Sequence, residues 1–322
     1  MVSKILRGFL GVSLGFIFLY LALRRVEWNN FYGIFSRSTF CLAGATGIFI
    51  LIGLFFKGLR IAWIAQGSPA RLAVYTQGVV LGLGVNSFVP LRAGEAAKIF
   101  YLAKGAGIGF LRAGLLVAME RILDFFSLGI LMLAAIFTNG ILFHLWLERI
   151  GARSLVPVAL IFWLFLLLAL TVASCAIIIT KNVFNLRERF KKHQQSLQNT
   201  FREILREFRD RFGASLGFSL MAWACDTAFI YSLANVFHLS MSIEKILFLQ
   251  MVLSLAYVSS VSPGALGIYE LLGSWTMKNM GIADDQSMAF LLTAHALTYV
   301  IMFLGAALVA TRIGWSFNFK GD

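Results

Sequence analysis

The 322-residue chain is 59% hydrophobic and 13% charged, against about 25% charged in an ordinary soluble domain, so water is not the main solvent of its surface. Its apolar runs lack period-two alternation, which excludes a transmembrane β-barrel in favour of helices. The net charge of +13 fits basic residues gathered at the cytoplasmic face beside anionic lipid, and no nucleic-acid partner is expected.

A hydrocarbon core about 30 Å thick needs about 20 apolar residues in a helix. The first such run is Ile5 to Leu23. Lys4 and Arg7 precede it as in a signal peptide, but no small-x-small cleavage site precedes Arg24 and Arg25, so it reads as a retained first helix. Cys41 to Ala65 is the second run, with Lys57 and Arg60 expected to snorkel at its cytoplasmic end. Leu72 to Met119 is apolar but interrupted at Asn86-Ser87-Phe88-Val89-Pro90-Leu91-Arg92-Ala93-Gly94-Glu95. Ile122 to Leu147 and Leu155 to Thr180 are uninterrupted.

The polar stretch Lys181 to Phe212 carries an excess of basic residues, which marks it as cytoplasmic. Within it Phe190, Leu197, Phe201, Leu205, Phe208 and Phe212 recur at helical spacing, predicting an amphipathic helix on the anionic inner leaflet, or else a hairpin packed on the protein's own loops. Gly213 to Phe237 is again a full span. Ile246 to Met280 is interrupted at Ser259-Ser260-Val261-Ser262-Pro263-Gly264-Ala265-Leu266-Gly267-Ile268-Tyr269-Glu270, and Ser287 to Thr311 is the last span.

The expected fold is an all-α polytopic membrane protein with six full spans plus two re-entrant or broken-helix hairpins in a candidate inverted repeat. It is a single transmembrane domain, 1–322. Residues 1–40 hold the N-terminal span and an outer loop, 41–147 repeat 1, 148–212 a linking span and the cytoplasmic amphipathic helix, 213–312 repeat 2, and 313–322 a tail. Both termini are expected in the cytoplasm, with Asp284 and Asp285 on the opposite side. If each hairpin instead crosses twice, its polar turn lies at the surface.

Pro90 and Pro263 suit the start of second half-helices, with Ser262 as an N-cap. Freed amides there, with Gly94, Gly264 and Gly267 allowing close approach, point positive charge at an anion such as a lipid phosphate. Arg92, Glu95 and Lys98 follow i, i+3 spacing, and Glu120, Arg121 and Asp124 cluster similarly. Ionisable residues at membrane depth cost about 2.5 to 3.5 kcal/mol each on insertion scales, so they face a cavity or one another. These residues, with Asn86, Asp226, Ser262 and Glu270, form the candidate headgroup-binding set. Asp226 could equally be a structural ion pair, and Arg121 an interfacial anchor. Cys41, Cys175 and Cys225 lie in apolar runs and suit packed thiols. Four scattered histidines give no metal spacing, and no phosphate-binding Gly-x-x-x-x-Gly-Lys-Ser/Thr motif occurs, so no metal, ATP or other cofactor is expected.

The ordered set Pro90-Leu91-Arg92-Ala93-Gly94-Glu95, Glu120-Arg121 with Asp124, and Ser262-Pro263-Gly264 with Gly267 and Glu270 resembles the lysylphosphatidylglycerol synthase transmembrane family, the flippase-like domain proteins. The resemblance runs from about Cys41 to Arg312, with Lys98 where arginine is expected. It implies a membrane domain that moves a modified phospholipid between leaflets. In the aminoacyl-lipid synthases a soluble domain follows and carries the synthase activity. The sequence given ends at Asp322 without one, so aminoacyl transfer is not expected.

The expected function is a lipid translocase, not an enzyme, acting on a phospholipid or lipid-linked substrate in a bacterial or archaeal cytoplasmic membrane. Arg92, Lys98 and Arg121 would meet phosphate; Glu95, Glu120, Asp124 and Glu270 would orient those cations or recognise a cationic headgroup. The rivals are an intramembrane lipid-modifying enzyme with Glu95 or Asp226 as base, and a non-transporting partner of a lipid synthase or glycosyltransferase.

Overall fold

A computed structural model describes residues 13, 15–24, 26–34, 37–66, 71–89, 93–138, 191–259 and 262–316. Every regular element among them is helical. A helical segment at 15–23 is followed by α1 (Trp28–Ile34), α2 (Arg37–Ile64), α3 (Leu72–Phe88), α4 (Ala93–Gly105) and α5 (Phe110–Thr138). Then come α6 (Lys191–Val236), α7 (Ile243–Ser259), a 3-10 turn at Pro263–Ala265, α8 (Ile268–Asn279) and α9 (Asp284–Ser316). The expected span Leu155 to Thr180, the end of Ile122 to Leu147 and the start of Ile5 to Leu23 lie outside the described residues.

Three stretches, Thr39–Ile64, Thr200–Val236 and Asp284–Arg312, are long and apolar enough to cross a membrane. Large apolar side chains such as Leu133, Phe137, Phe303 and Leu308 are exposed on the outside of the bundle. In water they would invite aggregation; in a bilayer they meet their solvent. Lipid gives packed helices no hydrophobic drive toward each other, so close association depends on small residues and polar contacts. The antiparallel pair α2 and α6 shows this, since a Cβ on Gly53 would lie 3.5 Å from Cys225 Cβ and 3.6 Å from the Ala222 carbonyl.

The two interrupted regions both form helical hairpins of matching size. Helices α3 and α7 have 17 residues each, and α4 and α8 have 13 and 12. At 1.5 Å per residue they are about 25 Å and about 18 to 20 Å long, short of a core about 30 Å thick. Glycine brings α3 and α4 together: a Cβ on Gly78 would meet Leu102 Cδ2 at 2.8 Å, and one on Gly94 would lie 1.9 Å from the Gly82 carbonyl oxygen. Asn86 closes the tip by accepting the Gly94 amide at 2.7 Å.

Both tips meet on α9. Helix α3 runs antiparallel to it, with Val80 against Gly305, Gly84 against Met302 and Ala306, and the Phe88 ring 6.0 Å from Tyr299 and 5.3 Å from Phe303. The Tyr299 hydroxyl donates to the Pro263 carbonyl at 3.2 Å, and the Pro263–Ala265 turn also packs on α3. Tyr299 stands about 22 Å from the Asp284 end of α9 and about 25 Å from the Ser316 end at the standard rise. The 15–23 segment reaches the same place, where a Cβ on Gly267 would lie 2.1 Å from the Gly15 carbonyl oxygen.

Two expectations change here. Pro263 opens only a single 3-10 turn, because Gly264, Ala265 and Gly267 take positive φ of 54°, 68° and 85°, a region that forbids continuing a right-handed helix. Helix α8 therefore starts at Ile268, and Ser262, in extended conformation, donates its hydroxyl to the Leu266 carbonyl at 2.9 Å instead of capping. The basic stretch before Gly213 does not form a separate helix along the inner leaflet: α6 runs unbroken from Lys191 to Val236. No proline separates its polar and apolar halves, the helix continues through Gly213 and Gly217, and Ile204 and Glu207 are buried against the protein. Pro90 lies outside the described residues, and α4 begins at Ala93.

Close approach at the first tip predicts that Gly94→Ala overpacks it, lowering stability by about 1 to 3 kcal/mol in thermal unfolding of the detergent-solubilised protein. Gly33→Ala, whose Cβ meets nothing within 4 Å, should leave the transition where it is or raise it slightly.

Candidate functional site

The charged residues of α2, α4, α5 and α6 converge on one network. Arg60, one turn before the end of α2, is 1% exposed. Its guanidinium donates to Glu120 Oε1 at 2.8 Å, Asp124 Oδ1 at 2.6 Å and Ser219 Oγ at 2.8 Å. The other oxygen of Glu120 accepts from the Lys98 ammonium, and Lys98 and Glu120 are also buried. One carboxylate thus bridges a guanidinium and an ammonium, which uses Arg60's planar fork to tie α2 to α5 and α6.

Arg121, Asp124 and Glu95 form the accessible edge of the same cluster, with side chains 34%, 28% and 24% exposed. Arg121 lies 3.3 Å from Glu120, 3.2 Å from Asp124 and 3.7 Å from Glu95. Its Nε–H is buried and finds no hydrogen-bond acceptor, since 3.7 Å is too long for one. Three cations, Arg60, Lys98 and Arg121, face three carboxylates, Glu95, Glu120 and Asp124. The cluster therefore has a buried floor whose charges are all paired, although Arg60 Nε, like Arg121 Nε, meets no acceptor, and a part-exposed rim that carries both signs.

The structure divides the sequence-derived set. Glu95, Lys98, Glu120, Arg121 and Asp124 come together, while Arg92 lies outside the described residues. Asp226 pairs with Lys57 at 3.1 Å, away from the network. Asn86 and Gly94 hold the first tip together; Ser262, Gly264, Gly267 and Glu270 belong to the second. Glu270 is wholly buried, one oxygen accepting the Gly267 amide at 2.7 Å and the other against His295 Nδ1. Among the described residues no His, Cys, Asp and Glu group could hold a metal ion.

Arg60 and Lys57 do not snorkel as expected. Their positions three residues apart aim both at α6, where Asp226 and Ser219 await them, so pairing replaces escape to the interface. Sequence reasoning also passed over Tyr299 and His295. The available signal was a histidine alone in the apolar run of α9, since polar groups at that depth have partners.

A family model described as the lysylphosphatidylglycerol synthase TM region matches residues 8–305. No curated protein and no solved structure matches the chain.

The floor and the rim should respond differently to mutation. Glu120→Gln leaves Arg60 and Lys98 buried with one partner charge removed, a loss of about 3 to 5 kcal/mol. Glu95→Gln removes one long, part-exposed ion pair and should cost about 1 kcal/mol or less. Chemical or thermal unfolding of the two variants in one detergent checks the order.

Proposed function

The chain belongs to the lysylphosphatidylglycerol synthase transmembrane family, and from that premise we propose that it is a lipid translocase of flippase or scramblase type. It is an integral membrane protein of a family associated with lipid handling. In this reading a polar headgroup slides past the Glu95, Arg121 and Asp124 rim while the acyl chains stay in the bilayer. The observation that carries it is Arg121: a partly exposed guanidinium with a buried, unmet Nε–H beside two carboxylates. Such a group can take a phosphate oxygen without dismantling the Arg60, Lys98 and Glu120 floor. The mixed signs of the rim suit a headgroup that carries an amine as well as a phosphate. Arg92 would add a second phosphate contact.

Two hairpins of nearly equal length whose tips meet at the middle of α9 support re-entrant halves of an inverted repeat, with the lipid path beside them. The basic beginning of α6 would face the cytoplasm and anionic lipid, with Asp284 and Asp285 opposite. Helix packing supports this, because the end of the basic half of α6 lies by the end of α2, where Arg211 donates to the Trp63 carbonyl at 2.9 Å. Both termini would then be cytoplasmic. No reaction is assigned to the site.

Leaflet exchange of a fluorescent phospholipid in liposomes containing the purified protein tests this reading. Exchange should exceed that of protein-free liposomes. Arg121→Ala removes a charge-assisted contact of about 1.5 to 3 kcal/mol and should slow exchange by about tenfold to a hundredfold. Arg121→Lys should restore part of the rate, since charge survives without the fork, and exposed Arg209→Gln should match the parent. Exchange no faster than in empty liposomes contradicts the translocase, and chemical conversion of the lipid points to an enzyme.

A further inference from the structure

The second hairpin tip contains a carboxyl and imidazole pair separate from the network around Glu120. Glu270 on α8 and His295 on α9 are 0% and 3% exposed. His295 Nε2 lies 3.0 Å from the Gly264 carbonyl oxygen. That oxygen can only accept, so Nε2 carries a hydrogen. Nδ1 lies 2.5 Å from Glu270 Oε1, two lone-pair atoms that need a hydrogen between them. The remaining oxygen, Oε2, already accepts the Gly267 amide. The pair therefore holds one proton more than glutamate with a neutral imidazole, whichever of the two heavy atoms the shared proton sits on.

Tyrosines from three helices stand around it. The rings of Tyr269 on α8 and Tyr299 on α9 lie 4.4 Å from the imidazole, and that of Tyr257 on α7 lies 5.9 Å away. The Tyr299 hydroxyl donates to the Pro263 carbonyl, next to the Gly264 carbonyl that His295 grips. Asp226 on α6 acts on Tyr257 from further off and is itself paired with Lys57. The surroundings thus set aromatic rings around the pair and, among the described residues, no cation beside it.

We propose that Glu270 and His295 form the binding site of one exchangeable proton, and that its release loosens the second hairpin tip and lets lipid pass. The inference rests on the translocase reading and supplies the energy coupling for it. With the proton in place, one imidazole ties the Gly264 carbonyl to the α8 carboxylate and fixes the turn. On release, the Nδ1 to Oε1 hydrogen leaves for water and no other covalent bond changes. A net negative charge then remains in a buried junction with no cation beside it among the described residues, which is expensive. The relief open to it is entry of water, and water entering here separates the two tips at the middle of α9.

The test uses full-length protein in vesicles of phosphatidylcholine and phosphatidylglycerol, with exchange of a fluorescent phospholipid measured from about pH 5 to about pH 9. Exchange by the parent should rise about tenfold or more toward high pH. Glu270→Gln reproduces the protonated acid, its amide donating to Nδ1 and its carbonyl accepting from Gly267, so it should stay folded and remain slow and flat across the range. A second readout needs no lipid movement: nitrogen NMR of 15N-histidine protein in nanodiscs, with the His295 signal identified by its loss in His295→Gln. The parent signal should change protonation state across the range, and the Glu270→Gln signal should not. A parent His295 that keeps one state throughout overturns the proton site, even where lipid exchange is robust. Glu270→Gln tracking the parent's pH profile overturns it as well. Absent exchange with a titrating pair removes the translocase reading and leaves a proton site without that cargo, overturning the coupling.

Discussion

Arg60 cannot shed its charge, and it is buried among helices that face hydrocarbon. A lone guanidinium there would be expelled toward water, so its place in the bundle exists only because Glu120, Asp124 and Ser219 meet it. Those partners come from two other helices, and Lys98 on a third completes the set through Glu120. Much of the inner architecture follows from that requirement. The first hairpin is held against α5 by Lys98, and α2 against α6 by Ser219 and the Lys57 to Asp226 pair. In lipid such contacts, with small residues that let backbones approach, do what hydrophobic burial does in water.

Satisfying a buried charge does not by itself make a site. What distinguishes this network is its asymmetry of exposure: a floor of paired charges closed off from the surroundings, and a rim where Arg121, with an unmet Nε–H, stands part-exposed beside Glu95 and Asp124. The hairpins give that rim its setting. Gly78, Gly82 and Gly94 allow α3 and α4 to lie close enough to form a thin wedge, and Gly84 and Gly305 let the wedge lie along α9. Tyr299 then joins the first tip, through Phe88, to the second, through Pro263. Changes at the Glu270 and His295 pair are within one side chain of both tips.

Much of this was legible in the sequence. Length and hydropathy identified the long helices, and the paired Pro and Gly interruptions identified both hairpins. The i, i+3 charges of α4 and α5 do share a cluster. What sequence spacing could not supply was distance along the chain: Arg60 looks like an interfacial anchor because its partners Asp124 and Ser219 are 64 and 159 residues away. The same holds for His295, whose partner Glu270 is 25 residues earlier on another helix. The half-helix start was misplaced at Pro263 because an alanine at positive φ, Ala265, is not predictable from residue preference. The amphipathic stretch was read as a surface helix because its charge suits the leaflet, but helix continuity through Gly213 and Gly217 prevailed.

A lipid path between broken helices requires that the tips stop inside the membrane and do not emerge from it. Phe88, at the first tip, is half exposed on the outer surface of the bundle, so a fluorophore attached at Phe88→Cys reports its own depth. Quenching by lipids spin-labelled at successive positions along the acyl chain should be strongest for the label nearest the bilayer centre. Strongest quenching by a label at the headgroup would put the tip at the surface, make each hairpin a pair of ordinary spans, and contradict the path.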